Sequence, residues 1–276
     1  MACSNTLSNT LSNTMYAIRE VADITGVKPV TLRAWQRRYN LIQPQRTDKG
    51  HRLYTEKDVE RINNIQSWLS KGVSIGKVKA LIDSDTLSQT DVETEQLEEV
   101  TTLLDALGAL SSNKVDVIID TVLKEYPLDV VEMKFVIPVL NATDYLKLSP
   151  KAIQQSLFKT AMIQKLAIMA NVERKRKRST STLLVSMDVT GNLFAWLNYA
   201  RLSEQGVNVT FIDGVEDVSA LQLDSVNFDS VHLFAEKSLS EKQLDAIRVQ
   251  REQDKPAWLL SPVVEHLISN NAGKLS

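Results

Sequence analysis

The spacing of apolar positions changes character twice along the chain, and each change predicts a different kind of structure. Near the start, Ile18, Val21 and Ala22 give a short helix one apolar side. Thr25, Gly26 and Val27 then make a tight turn, for which glycine supplies the backbone freedom. Pro29 opens a second helix over 30–39, a position that tolerates proline, and Asn40 stands where a left-handed cap is needed. Residues 43–54 read as two short extended segments around Asp48, Lys49 and Gly50, a hairpin. Residues 55–58 carry an N-cap signature, opening a helix with Val59, Ile62, Ile65 and Leu69 on one face. Ser74 starts a further helix with Val78, Leu81 and Ile82.

From about 95 to 172 the three- and four-residue spacing is sustained. Leu97, Val100, Leu103, Leu104 and Leu107 form one stripe, and Val115, Ile118, Ile119 and Val122 another. Pro127 and Pro150 stand near helix starts, and the segment predicts a bundle of four helices. Beyond 182 the period shifts again. Short apolar runs at 183–187, 207–212, 230–235 and 257–260 alternate with helical patterns at 193–205, 240–251 and 262–270. Strands alternating with helices predict a parallel sheet covered by helices, an α/β domain.

Between these blocks lie segments unlike either neighbour. Residues 1–14 carry no charge and repeat Leu-Ser-Asn-Thr at 7–10 and 11–14, which predicts a disordered tail, or an upstream start with Met15 as the working one. Residues 84–94 form a polar linker, and 173–182 a second linker containing five consecutive cations at 174–178. That run is read as a solvated linker, with nonspecific phosphate contact as the alternative. The expected organisation is therefore multidomain, with blocks at 15–83, 95–172 and 183–276.

Charge separates the blocks in a way the net value of −2 hides. Residues 15–83 carry +6 and residues 84–276 carry −8. A basic head on an acidic body points to nucleic-acid binding by the head. The second of its two short helices is dense in donors, with Thr31, Arg33, Gln36, Arg37 and Arg38 within eight residues and Lys28 just before it. Arg pairs bidentately with guanine, and Arg or Thr can hold phosphate. Leu32 and Trp35 are expected in the core. The hairpin adds Arg46, Lys49, His51, Arg52 and Tyr54, a wing able to grip the backbone or enter the minor groove.

Residues 16–82, by the helix at 30–39 followed by the wing at 44–54, resemble the winged helix-turn-helix domain of the MerR family. The likeness is strongest to the branch that joins this domain to a helical bundle and a flavodoxin-like, cobalamin-binding-type α/β domain. Asn40 replaces that family's usual glycine. The resemblance implies a homodimeric regulator of double-stranded promoter DNA that helps RNA polymerase engage an overlong promoter spacer. It also implies activation of curli or other biofilm-matrix genes, with residues 84–276 serving dimerisation, signal input or contacts with signalling proteins.

The cobalamin expectation can be tested residue by residue. Cobalamin modules of this kind carry Asp-x-His-x-x-Gly after the first strand, whereas 188–193 here reads Asp-Val-Thr-Gly-Asn-Leu. Asp188 matches, but Thr190 stands at the cobalt-ligand histidine and Leu193 at the glycine. No histidine occurs between 51 and 232, and no Trp or His between 84 and 172. Cobalt ligation through nitrogen needs a neutral imidazole, so no cofactor is expected. A different ligand would lie at the carboxyl ends of the strands, beside Asp188, Gly191, Asn192, Asp213 and Gly214.

Other chemistry finds little support. Cys3 is the only cysteine, and His51, His232 and His266 the only histidines, so disulfides and Cys/His metal sites are not expected. No catalytic triad order or Gly-x-Gly-x-x-Gly occurs, and the chain reads as a non-enzyme. No apolar run reaches eighteen residues and no Sec-type signal opens the chain, which suits a bacterial cytoplasmic protein near the nucleoid with no membrane contact.

Overall fold

The structure is a computed structural model that describes residues 14–83, 95–174, 180–221, 228–251 and 256–272. The expected tail at 1–13, the linker at 84–94 and the cation run from 175 onward lie outside the described residues. The described residues divide into two compact units, one drawn from the ranges 14–100 and 121–138, the other from 101–120 and 139–272.

The first unit begins with β1 (Met15–Ala17), α1 (Ile18–Thr25) and α2 (Pro29–Tyr39), continues through β2 (Gln45–Arg46) and β3 (Arg52–Thr55), and then α3 (Glu56–Ser70) and α4 (Ile75–Asp83). The three strands form an antiparallel sheet in the order β1-β3-β2. Local chemistry sets the boundaries. Gly26 ends α1 at φ +72°, and Asn40 ends α2 at φ 52°, ψ 39°, the left-handed geometry its sequence position predicts. At the head of α3, the Thr55 hydroxyl accepts from the Asp58 amide while the Asp58 carboxylate accepts from the Thr55 amide at 2.8 Å, a reciprocal cap. Val21, Leu32, Trp35, Ile62, Ile65, Leu69 and Val78 are buried in this unit.

The middle of the chain is helical in four stretches. They are α5 (Glu99–Gly108), α6 (Ser112–Glu125), a stretch from α7 (Leu128–Val131) through a π turn (Glu132–Val136) to α8 (Ile137–Asp144), and α9 (Leu148–Arg174). Pro138, which has no amide hydrogen to donate, stands two residues past the end of the π turn, a common accommodation of an interrupted ladder. Residues of this helical segment contribute to both compact units.

In the second unit, β4 (Ser181–Ser186), α10 (Leu193–Glu204), β5 (Asn208–Ile212), β6 (Ser230–Phe234), α11 (Glu241–Arg251), β7 (Ala257–Leu260) and α12 (Pro262–Ala272) alternate. The strands form one parallel sheet in the order β5-β4-β6-β7. β4 is central, and its alternate side chains point to opposite faces. Leu183 and Val185 join a core with Leu244 and Ile247 of α11 and Val264 of α12. Leu184 joins another with Ala195, Tyr199 and Leu202 of α10 and Ala170 of α9. Helices thus cover both faces, which is why β4 reads as an uninterrupted apolar run.

The Thr55 cap generates a direct test. Thr55→Ala removes one side of the capping box and should cost about 0.5–2 kcal/mol of stability, read as a lowered urea midpoint with unchanged slope.

Candidate nucleic-acid interface

α2 has one face inside and one outside. Leu32, Ala34 and Trp35 are buried, while Arg33 and Arg37, four residues apart, are exposed on the other side. Two guanidinium groups one turn apart form the short cationic row that suits phosphate or guanine edges.

The wing is fastened beside this row. β2 and β3 pair Arg46 with Arg52, and the turn between them is closed by the Thr47 amide donating to the His51 carbonyl at 2.9 Å and the Gly50 amide to the Thr47 carbonyl at 2.8 Å. Gly50 sits at φ +80°, a conformation open to glycine. The wing turn leaves Lys49 and His51 exposed, and Arg46 donates to the Gly50 carbonyl at 3.3 Å. Arg52 Nε donates to Gln36 Oε1 at 2.6 Å, tying the wing strand to the helix. Arg33 and Arg52 both act electrostatically on the Tyr54 hydroxyl. Lys28 is the half-buried N-cap residue of α2.

Two expected contact residues are buried, and a third, half exposed, has a partner within the protein. Thr31 is 1% exposed and Tyr54 is fully buried, so neither presents its hydroxyl to a ligand. Burial pushes the Tyr54 phenol pKa upward, the nearby Arg52 and Arg33 opposing it. Thr31 stands four residues before the buried Trp35 and so shares its inward face, a signal present in the spacing. Arg38, three residues after Trp35, is committed to an ion pair with the Glu125 carboxylate. Sequence reading missed Glu125 altogether, since no local pattern links residues so far apart. It also missed Arg61, whose Nε donates to the Leu41 carbonyl at 2.5 Å, and Gln66, whose amide donates to the Thr25 carbonyl at 3.0 Å. Both brace loops flanking α2.

In the second unit, the residues named for a ligand crevice converge at the strand ends, where hydrogen bonds tie several of them to one another and to neighbouring residues. Asp188 is 6% exposed, and its carboxylate accepts from Asn192 Nδ2 at 3.1 Å and from the Glu236 and Lys237 amides at 2.9 and 3.2 Å. Asp213 Oδ2 accepts from the Gly191 amide at 2.9 Å and from Trp196 Nε1 at 3.0 Å. Thr190 is packed against Gly214 so closely that a Cβ added there would lie 2.0 Å from the Thr190 hydroxyl. Residues 159, 188–192, 236 and 237 outline an open groove. The residue set does not fit a corrinoid held through cobalt, because the ligand position offers a threonine hydroxyl. His232, on β6, is half-buried and its pKa is lowered by desolvation, as expected of a neutral strand histidine.

Comparison with known proteins bears on the first unit most directly. The profile described as MerR HTH family regulatory protein matches residues 16–85. The chain is 33% identical over 194 residues to the HTH-type transcriptional regulator MlrA of Salmonella typhimurium (strain SL1344), covering 70% of this chain and 77% of that one. It is 32% identical over 192 residues to MlrA of Escherichia coli (strain K12), covering 70% and 77%. Over 67 residues it is 36% identical to the HTH-type transcriptional repressor CarH of Myxococcus xanthus, covering 24% and 22%.

Arg38, half exposed, differs from Arg33 and Arg37 in being paired to a buried carboxylate. Arg38→Ala leaves the buried Glu125 oxygen without its charged donor and should cost stability, about 1–3 kcal/mol. Arg37→Ala, on the exposed face, should leave the denaturation midpoint almost unchanged. Equal midpoints for the two variants would contradict the assignment.

Proposed function

The chain belongs to the MerR family of helix-turn-helix transcriptional regulators, and from that premise we propose that it is a sequence-specific regulator of promoter DNA, with α2 in the major groove and the wing alongside. The observation that carries this reading is the exposed Arg33–Arg37 row beside a wing whose Arg52 is fastened to Gln36. Arg33, Arg37, Arg46, Lys49, His51 and Arg52 supply the contacts, with Lys28 at the helix start and Gln36 holding Arg52. Their expected work divides into phosphate contacts that position the protein and base contacts that specify the site.

In this reading the protein acts as a homodimer on a two-fold related site and works with RNA polymerase at the promoter. Its likeness to MlrA along most of both chains supports an MlrA-like role, as an activator of curli and biofilm-matrix genes. The second unit serves as a scaffold for dimerisation and for signalling partners, and its strand order supports a flavodoxin-like, cobalamin-domain-like ancestry. We assign it no cofactor and no catalysis, since Asp188 and Asp213 are held by loop donors. Among the described residues no helix is long and apolar enough to cross a membrane. A cytoplasmic, nucleoid-associated setting suits a regulator of this kind. A ligand-responsive regulator is the other reading, favoured by the open groove that residues 159, 188–192, 236 and 237 outline at the strand ends.

Salt separates this reading from a solvated cationic face. Affinity for DNA should fall steeply as salt rises, and Arg33→Ala should weaken binding at every salt concentration. If Arg33 holds a phosphate, the salt slope should also shrink by about one. Binding indifferent to salt, or an Arg33→Ala variant of full affinity, would overturn it. The purified protein should show no cobalt-corrin absorbance; a corrin spectrum would favour the ligand-responsive reading.

A further inference from the structure

The inner face of α2 is gripped by a single residue far along the chain. Trp35 Nε1 donates to the Glu125 carbonyl at 2.8 Å, Arg38 donates to Glu125 Oε1, and Tyr39 donates its hydroxyl hydrogen to Glu125 Oε2 at 2.6 Å. The Glu125 side chain is 2% exposed. Burial and the bond to this carboxylate drive the Tyr39 phenol pKa well upward. The next residue continues the attachment. Tyr126, fully buried, accepts from the Ile75 amide and donates to Glu99 Oε1, both at 3.2 Å. The dipeptide 125–126 therefore pins the recognition helix and the first turn of α4 together. It lies outside residues 16–85, the extent of the family match.

We propose that Glu125 is a positioning residue for sequence-specific DNA recognition, one that sets the axial and rotational placement of α2 without touching DNA. Its three donors stand at positions i, i+3 and i+4, a little over one helical turn. A carbonyl at one end and a carboxylate at the other oppose both sliding along the helix axis and rotation about it. Arg33 and Arg37 stand on the opposite face, so a rotation of α2 swings their guanidinium groups directly. Hydrogen bonds to base edges weaken steeply with angle and distance, whereas attraction to the phosphate backbone is long-ranged and carries no sequence information. Loosening Glu125 thus costs discrimination between sequences before it costs attachment.

This inference rests on the regulator reading, and its test keeps the two apart. The full chain selects a duplex from random sequence, and a scrambled duplex of equal length serves as the nonspecific probe. If the wild-type chain selects no duplex, the regulator reading fails and this inference with it. Given a selected duplex, Glu125→Ala should lower the selected-to-scrambled affinity ratio by about tenfold or more, the size of one lost base contact. Affinity for the scrambled probe and its salt slope should stay at wild-type values. Glu125→Gln, which keeps an acceptor, should recover part of the ratio. Tyr39→Phe, which deletes one donor and leaves charge and shape intact, should reproduce the loss in smaller degree and stands in if Glu125→Ala does not fold. An unchanged ratio, a parallel fall in both affinities, or a rise in both would each overturn the proposal, the last two marking Glu125 as a stability residue or a charge brake.

Discussion

α2 is eleven residues long, short of the length at which an isolated helix holds in water. Its geometry therefore depends on what its inner face is buried against, and the decisive contact is Trp35. The indole is fully buried, which removes a large apolar area from water, and its one polar group finds the Glu125 carbonyl. Around it Leu32 and Thr31 are closed off from solvent, and the opposite face is left to arginines. The cationic face is usable because the apolar face is anchored.

The second unit solves a different problem by a similar division. A central parallel strand must bury both sides, and β4 does so between α11 and α12 on one face and α10 on the other. The loops leaving its strands are then knitted by carboxylates accepting from backbone amides, Asp188 from residues 236 and 237 and Asp213 from residue 191. In many open α/β sheets these positions hold a ligand. Here two of the carboxylates at these positions brace the loops.

Much of this was readable in the chain because it depends on neighbours in sequence. Pro29 and Asn40 bracket α2, Thr55 and Asp58 open α3, and the runs around 183, 208, 230 and 257 are strands, each through contacts spanning a few residues. Thr31 and Tyr54 carry donor chemistry, yet helix phase and strand pairing turn both inward. Tyr54 sits opposite Tyr16 on β1, a register no composition rule supplies. Arg38 and Glu125 are 87 positions apart, and nothing local distinguishes a carboxylate that will bind a buried indole's neighbour from one that will face water. The allotment of residues 121–138 to one unit and 101–120 to the other is hidden for the same reason, since a helical stripe shows that a face is apolar without naming what covers it.

The bond between Arg52 and Gln36 has a thermodynamic side. A free arginine loses much rotamer freedom when a nucleic acid immobilises it, and that loss is subtracted from the affinity. Arg52 is already oriented by an amide before any duplex arrives. In the proposed complex its share of the ordering entropy is met during folding, so association there has less to overcome and docks a formed surface in place of recruiting a mobile one.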